Sequence, residues 1–489
     1  MVQSDDQQTP AKEEKVIKDE NIYTILEKAI AEVFGTATLL FVGCMGCIGA
    51  EVSFAPHFGA LSFGLAVAVA VQMYGHISGG HYNLCVTIAA VILKKIDLVL
   101  AGIYFISQTV GALLGYGLLM LVTNENDNKG VCVTQINPYI KVYQGFIIEM
   151  IISGFLISIC CAVWDHRNTK NTDSIPIRFG LTLGSIFIAT AQYTGASMNP
   201  ARSLAPAIFQ NMWKDHWVYW VAPILGSAGT ALFYRFIFIE GLAKAGRKFI
   251  STLIIMVGEI LGTATYIFLG CMGCISNTYP NMSFQFHPFN FGLGIALAIQ
   301  LFGHISGAHF NPIVSIAALI MQTVKITMFP FYVLAQFIGV FLGYGLIMAL
   351  VPETSAEHLC VTVPSSGVTD VQALFIETIG SFLLVMALCS VWDPRMKGLH
   401  DSLALKIGLM LSAIFLAVAQ FTGSGLNPAR SLVPAIFHGV WDAHWIYWVG
   451  PILGGGLIAP ILYRFVLMHG ISIEGKDQQP KSSEKEPVI

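Results

Sequence analysis

The chain has 489 residues, of which 55% are hydrophobic and only 11% charged, with a formal net charge of −3 and a mean hydropathy of +0.68. That balance excludes a water-soluble globular protein and offers no basic surface for nucleic acid; it describes an integral membrane protein. No nucleophile–base pair and no cofactor motif emerges, so neither an enzyme nor a cofactor is expected.

Residues 1–24 are polar and charged, and read as a disordered cytoplasmic N-terminus. They lack the form of a cleavable signal peptide, so the first membrane helix is expected to direct insertion. Apolar runs near the spanning length of roughly 20 residues follow. They fall at about 29–49, 60–77, 98–122, 143–163, 177–193 and 216–238, within a first domain of residues 25–240. A basic linker, 241–249, leads to a second domain, 250–470, with runs at about 253–275, 288–305, 328–350, 371–391, 403–420 and 445–467. Residues 471–489 form a polar tail, also read as disordered and cytoplasmic. The prediction is an all-α membrane protein with six spanning helices per domain.

Lys94, Lys95, Arg167, Lys170, Lys244, Arg247, Lys248, Lys325, Arg395 and Lys397 fall on one side of this topology, with Lys129 and Lys141 the main exceptions. The positive-inside rule then places both termini and the linker in the cytoplasm, with the plasma membrane as the expected location. On that topology Asn281, in Asn281-Met282-Ser283, is an extracellular glycosylation candidate.

The two domains repeat each other in a register of about 228 residues. HISGGHYN at 76–83 returns as HISGAHFN at 304–311, and TGASMNPAR at 194–202 returns as TGSGLNPAR at 422–430. Repetition over that length marks a duplicated structural unit. Asn83, Asn199, Asn311 and Asn427 each open a short stretch of helical character. Asn is a favoured N-cap, and Pro200, Pro312 and Pro428 stand where a missing N–H costs nothing. These stretches are too short to span, so they are predicted to be half-helices entering from opposite faces and meeting at mid-membrane. Irregular backbone at that depth requires burial in protein or a cavity to line. The positive helix ends and the Asn amides would orient a water molecule there and oppose cations. Glu32 and Glu149 lie in the first and fourth runs, with Glu259 and Glu377 as their repeats, which suggests inverted halves around a midplane site.

Of ten cysteines, four form CMGC at 44–47 and 271–274, without neighbouring His or acidic residues. They read as small helix-packing residues and not as metal ligands. Cys132 and Cys360 fall in loops, and their redox state stays open. Gly111-x-x-x-Gly115 and Gly339-x-x-x-Gly343 predict close helix contacts.

At the Asn loops each domain resembles a member of the aquaporin (major intrinsic protein) family. The resemblance covers about 25–470 and includes AEVFGT at 31–36 with GEILGT at 258–263, and HWVYWV at 216–221 with HWIYWV at 444–449. It implies two tandem bundles, each with six transmembrane helices and two re-entrant half-helices around a narrow pore. It also implies self-association, with two chains supplying a four-pore assembly. Ala201 and Ala429 match the family's Asn-Pro-Ala triplet, whereas Leu84, Cys85 and Ile313 depart from it. Loss of proline at Leu84 and the larger Cys85 and Ile313 suggest a reshaped or loosened loop, and a first pore that fails to conduct is one reading of copy one. By the resemblance the four Glu residues support the loops, and His76 and His304 line a cytoplasmic vestibule.

Counting from the Asn residues, the family's selectivity constriction falls on Phe63, Phe187, Ala196 and Arg202, and on Phe291, Phe415, Ser424 and Arg430. Two aromatics opposite an arginine resemble glycerol facilitators. Ser203 and Ser431 after the arginine, and Tyr219-Trp220 and Tyr447-Trp448, resemble water channels. A passive channel for water that excludes protons and ions is expected, with glycerol or urea permeation left open. The alternatives are a glycerol or urea facilitator of low water selectivity, or a poorly conducting structural protein on the same fold. Ala196 and Ser424 stand where many members carry Cys, so Cys85 is the first candidate for any mercurial sensitivity.

Overall fold

The structure, a computed structural model, describes residues 22–48, 55–124, 129–168, 172–241, 248–275, 286–352, 358–396 and 401–468; Asn281 and both terminal segments lie outside them. Apolar segments become helices because a peptide group removed from water must find its partner within its own segment. Copy one comprises α1 (Ile22–Met45), α2 (Ala55–Ser78), the short α3 (Leu84–Ile92), α4 (Leu98–Val122), α5 (Val142–Trp164), α6 (Ile175–Thr194), the short α7 (Pro200–Gln210) and α8 (Val218–Glu240). Copy two repeats the order with α9 (Lys248–Met272), α10 (Phe286–Ser306), the short α11 (Pro312–Ile320), α12 (Phe329–Leu350), α13 (Asp370–Val391), α14 (Leu403–Thr422), the short α15 (Pro428–His438) and α16 (Ile446–Leu467). Among the described residues eleven helices are long and apolar enough to cross a membrane. The remaining long helix, α1, has 24 residues but carries Glu27, Lys28 and Glu32.

Small residues bring the helices together. Gly111 and Gly115 of α4 rest on the carbonyls of Val33 and Ala37 in α1, and Gly339 and Gly343 of α12 rest on those of Ile260 and Ala264 in α9. A side chain at any of these positions would overlap the facing backbone. α6 and α14 stop at Gly195 (φ +78°) and Gly423 (φ +72°), left-handed caps that turn the chain back toward the interior.

The two copies share a seam in which α9 and α10 pack on α5 and α6. Arg178 Nη1 donates to Gln300 Oε1 at 2.6 Å, and Ser174 N donates to Asp401 Oδ2 at 2.8 Å. The Tyr234 hydroxyl meets His304 Nε2 at 2.8 Å. His304 is therefore a seam residue, which corrects its expected place in the vestibule. It lies late on α10, on the face turned toward copy one.

Two disulfides correct a second expectation. Cys44 bonds to Cys132 and Cys271 to Cys360, so Cys44 and Cys271 tie the ends of α1 and α9 to the loops after α4 and α12.

Candidate functional site

Each pore is built where the N-termini of two half-helices meet. Asn83 caps α3, its Oδ1 accepting from Cys85 N at 2.8 Å, while its Nδ2 donates to Met198 O at 2.9 Å. Asn199 caps α7, accepting from Ala201 N at 3.1 Å and donating to Tyr82 O at 3.0 Å. Each Asn thus caps its own half-helix and straps the loop leading to the other. Copy two repeats the arrangement: Asn311 donates to Leu426 O at 2.9 Å and Asn427 to Phe310 O at 3.0 Å. An amide nitrogen carries two hydrogens, so the straps of Asn83, Asn199 and Asn311 each leave one for the pore, while Asn427 gives its second to the Tyr266 hydroxyl.

The straps depend on unusual backbone. Tyr82, Met198, Phe310 and Leu426, the residues immediately before each Asn, have φ of +50°, +52°, +52° and +49°. A non-glycine residue pays about 1 kcal/mol or more for that conformation, so something must enforce it. The four glutamates do, each of them fully buried. Glu32 accepts from His81 N at 3.0 Å and Tyr82 N at 2.7 Å. Glu149 accepts from Ser197 N at 2.8 Å and Met198 N at 3.0 Å. Glu259 accepts from Phe310 N and from Gln336 Nε2, and Glu377 accepts from Gly425 N and Leu426 N, both at 2.8 Å. A carboxylate that gathers several donors is the arrangement that makes a buried acid tolerable.

The departures Leu84, Cys85 and Ile313 do not loosen the loops. Asn83 (φ −156°, ψ 127°) and Asn311 (φ −157°, ψ 128°) have the same conformation although Leu84 follows one and Pro312 the other. Cys85 and Ile313 are fully buried and turn away from the pore. Cys85 lies beside Ser227 of α8, and Ile313 beside Gly455 of α16, so the larger side chain meets the smaller partner.

Above each Asn pair the constriction residues come together. The Phe63 and Phe187 rings stack at 5.0 Å, and the Arg202 guanidinium lies 4.9 Å from the Phe63 ring centre. Phe291 and Phe415 stack at 5.1 Å, with Arg430 at 5.3 Å. Arg202 Nη1 donates to Cys132 O and Arg430 Nη1 to Cys360 O, both at 2.6 Å. The disulfide loops therefore aim the arginines. The buried Nε of each arginine makes no hydrogen bond among the described residues. Ala196 and Ser424 are fully buried beside these residues, and their side chains are not among those lining the cavities. His76 is exposed at the end of α2, also away from the cavity.

The cavities run past both Asn residues and the arginine, and each offers about 50 Å³ to water-sized molecules. Since about 10–15 Å³ suffices for one water, a short single file fits. One lining residue escaped the sequence reading. Tyr266 of α9 projects into the second cavity, and its hydroxyl lies 2.7 Å from Asn427 Nδ2, whereas Leu39 lines the first cavity from the matching position of α1. Its signal was available: Tyr266 stands seven residues after Glu259, as Leu39 stands seven after Glu32.

Helices long and apolar enough to span a bilayer, enclosing two narrow paths lined by fixed donors, define a multi-pass membrane channel. The chain belongs to the Major intrinsic protein family, whose family model matches it twice, at residues 20–234 and 248–463. It is 40% identical over 179 residues to aquaporin-4 of Notomys alexis, covering 37% of this chain and 55% of that protein. It is 36% identical over 225 residues to the lens fiber major intrinsic protein of Ovis aries, covering 45% of this chain and 83% of that protein. The match thus spans about half the length of the aquaporin-4 relatives. The solved aquaglyceroporin from Plasmodium falciparum aligns over 45% of this chain and 100% of its own, with 26% identity and a TM-score of 0.42.

Proposed function

We propose that each copy is a passive pore for water that excludes protons and ions. The observation that carries this reading is the pair of cross-strapped Asn residues at two facing half-helix ends, with the arginine fixed above them. A water passing there accepts from Asn83 and Asn199 and cannot at the same moment align for proton hopping along the file, while the helix ends and Arg202 repel cations. Phe63 and Phe187, stacked beside Arg202, favour a second permeant class. They offer an apolar wall opposite a guanidinium donor, which suits the carbon face and hydroxyls of glycerol, or urea.

Disulfides form on the oxidising side of a membrane, so Cys132 and Cys360 support placing their loops outside and both termini in the cytoplasm. Two chains associating would supply four pores.

The deciding experiment is stopped-flow shrinkage and solute uptake of proteoliposomes, with water, glycerol and urea compared and a proton-sensitive dye inside. Fast water flux without dye response supports the water pore. Solute entry well above protein-free vesicles shifts the reading to the polyol or urea facilitator, and no flux of any kind overturns it.

A further inference from the structure

At the ends of α7 and α15 farthest from the Asn residues, the two copies carry different chemistry. In copy one an amide ties the half-helix to the disulfide loop. Gln210, the last residue of α7, donates from Nε2 to the Tyr116 hydroxyl at 3.1 Å, and its Oε1 accepts from Gly130 N at 3.0 Å. The Tyr116 hydroxyl donates in turn to Val131 O at 2.7 Å. Copy two keeps the tyrosine, and the Tyr344 hydroxyl donates to Leu359 O at 2.6 Å. There His438 stands in place of Gln210 and His358 in place of Gly130.

The tautomer of His438 follows from counting hydrogens. The Tyr344 hydroxyl has one hydrogen, and Leu359 O is an acceptor only, so the hydrogen goes there. His438 Nε2, 2.8 Å from the same hydroxyl, must then be a donor and carry the ring proton. That leaves a bare lone pair on Nδ1 of the neutral imidazole, with no hydrogen-bond partner among the described residues. Burial and the neighbouring His358 hold this imidazole below its ordinary pKa, which favours the neutral form. The His358 ring lies beside it, the ring centres 5.9 Å apart and the planes at 45°. His358 is exposed and His438 half-buried, so both are reached from solvent. A metal–nitrogen bond of about 2.0–2.1 Å and a ring radius of about 1.1 Å put a shared ion about 3.2 Å from each ring centre, so two imidazoles on one ion have centres up to about 6.4 Å apart. The observed pair lies within that reach.

We infer that His358 and His438 form a binding site for a divalent transition-metal ion of the zinc class, held by His438 Nδ1 and one nitrogen of His358. Imidazole nitrogen suits zinc, copper and nickel, whereas calcium and magnesium take oxygen. No group of three ligating side chains occurs among the described residues, so water completes the coordination and the ion is exchangeable. Bound there, it does in copy two what the Gln210 amide does in copy one: it ties the half-helix to the loop. The next carbonyl of that loop, Cys360 O, holds Arg430 at 2.6 Å. The loop that aims the second arginine is thus tied on condition of the ion, and the loop that aims Arg202 is tied always.

The test is equilibrium dialysis of the untagged full chain in detergent against Zn²⁺, with melting temperature and amide hydrogen exchange measured with and without the ion. His358→Gly and His438→Gln install the residues that copy one carries at these places, and glycine suits the φ of +52° at 358, so both variants are expected to fold. Either one should weaken one zinc site per chain by at least about tenfold, since losing even an outer-shell partner costs that much. In the parent, zinc should raise the melting temperature and slow exchange at residues 358–362, and in the double variant it should do neither. Zinc bound equally by the parent and the double variant overturns the inference. So does a chain that binds none, and so does binding that leaves exchange in that loop unchanged. Water flux on the same preparations separates the two readings: a silent chain that binds zinc through these histidines defeats only the channel, and a conducting chain without the zinc site defeats only this inference.

Discussion

The Tyr266 hydroxyl stands 2.7 Å from Asn427 Nδ2, and the same nitrogen also donates to Phe310 O. Both hydrogens of that amide are thereby engaged, and a water in the second pore meets one free Asn donor instead of two. Leu39 makes no such claim on Asn199, so the two pores are chemically unequal. The inequality runs opposite to the one suggested by Leu84 and Cys85.

Replacing Tyr266 by Leu is therefore expected to raise water permeability per chain, and the reciprocal Leu39→Tyr to lower it. One hydrogen bond of about 1 kcal/mol corresponds to about five-fold in the conductance of the affected pore. Stopped-flow light scattering on proteoliposomes of matched protein content reads both changes. A Tyr266→Leu chain no faster than the parent would remove the tyrosine from the pathway.

Glu149→Ala and Glu377→Ala should each silence one pore and destabilise the chain. The first leaves Ser197 N and Met198 N without their acceptor, and the second does the same to Gly425 N and Leu426 N. Orphaning buried donors of a charged acceptor costs about 3–5 kcal/mol. The expected result is a lower melting temperature in detergent for both, with most of the flux per folded chain lost in Glu149→Ala, which silences the Leu39 pore, and a smaller loss in Glu377→Ala, which silences the Tyr266 pore; unchanged melting would deny the loops their dependence on glutamate.

The disulfides hold the loops whose carbonyls hold the arginines. Cys132→Ser should free Cys132 O from its fixed position and let Arg202 swing, relaxing discrimination between water and glycerol in copy one. Opening a cross-link of 88 residues' separation lowers stability by at most about 4–5 kcal/mol on the chain-entropy argument. Solute uptake and a melting curve with and without reductant check both effects, and uptake that ignores reductant would uncouple the loop from the constriction.

Asp393 follows α13, outside the spanning segment, and hydrogen bonds from Arg395 hold its carboxyl down to about 2. Its unfolded value lies near 3.9, so the clasp contributes stability above that pH and loses it as pH falls toward 2. Asp393→Asn should melt below the parent at pH 7, with the gap closing between about pH 4 and pH 2. A gap that stays constant across that range would exclude the carboxylate as its source.

Cys85→Ala should leave any inhibition by mercurials unchanged, because Cys85 is fully buried and turned toward Ser227. Cys47 and Cys274 are the free cysteines among the described residues that are only half-buried, so they become the residues to replace next. Loss of inhibition in Cys85→Ala alone would put that thiol back in the path.

The spans and the half-helices were legible because they rest on local physics: apolar runs of spanning length, and Asn before Pro at a helix start. The gathering of Phe63, Phe187 and Arg202 was reached by counting from Asn83 and Asn199, where family resemblance supplied distances that the residues alone do not encode. What stayed hidden depended on partners far away in the chain. Cys44 could be read only beside Cys47 until the fold brought Cys132 to it across 88 residues, although the nearly equal separation of 89 between Cys271 and Cys360 was a usable sign. His304 follows the same motif as His76, and only the packing of α10 on copy one sets the two apart. Tyr266 passed as one more aromatic in an apolar run.

Joining the copies covalently makes the His304 contact a first-order event within one molecule, independent of how many chains the membrane holds. Synthesis of a single polypeptide also fixes the ratio of the two unequal pores at one to one. A Tyr266 pore is always delivered beside a Leu39 pore, so neither can be produced, sorted or lost without its sibling.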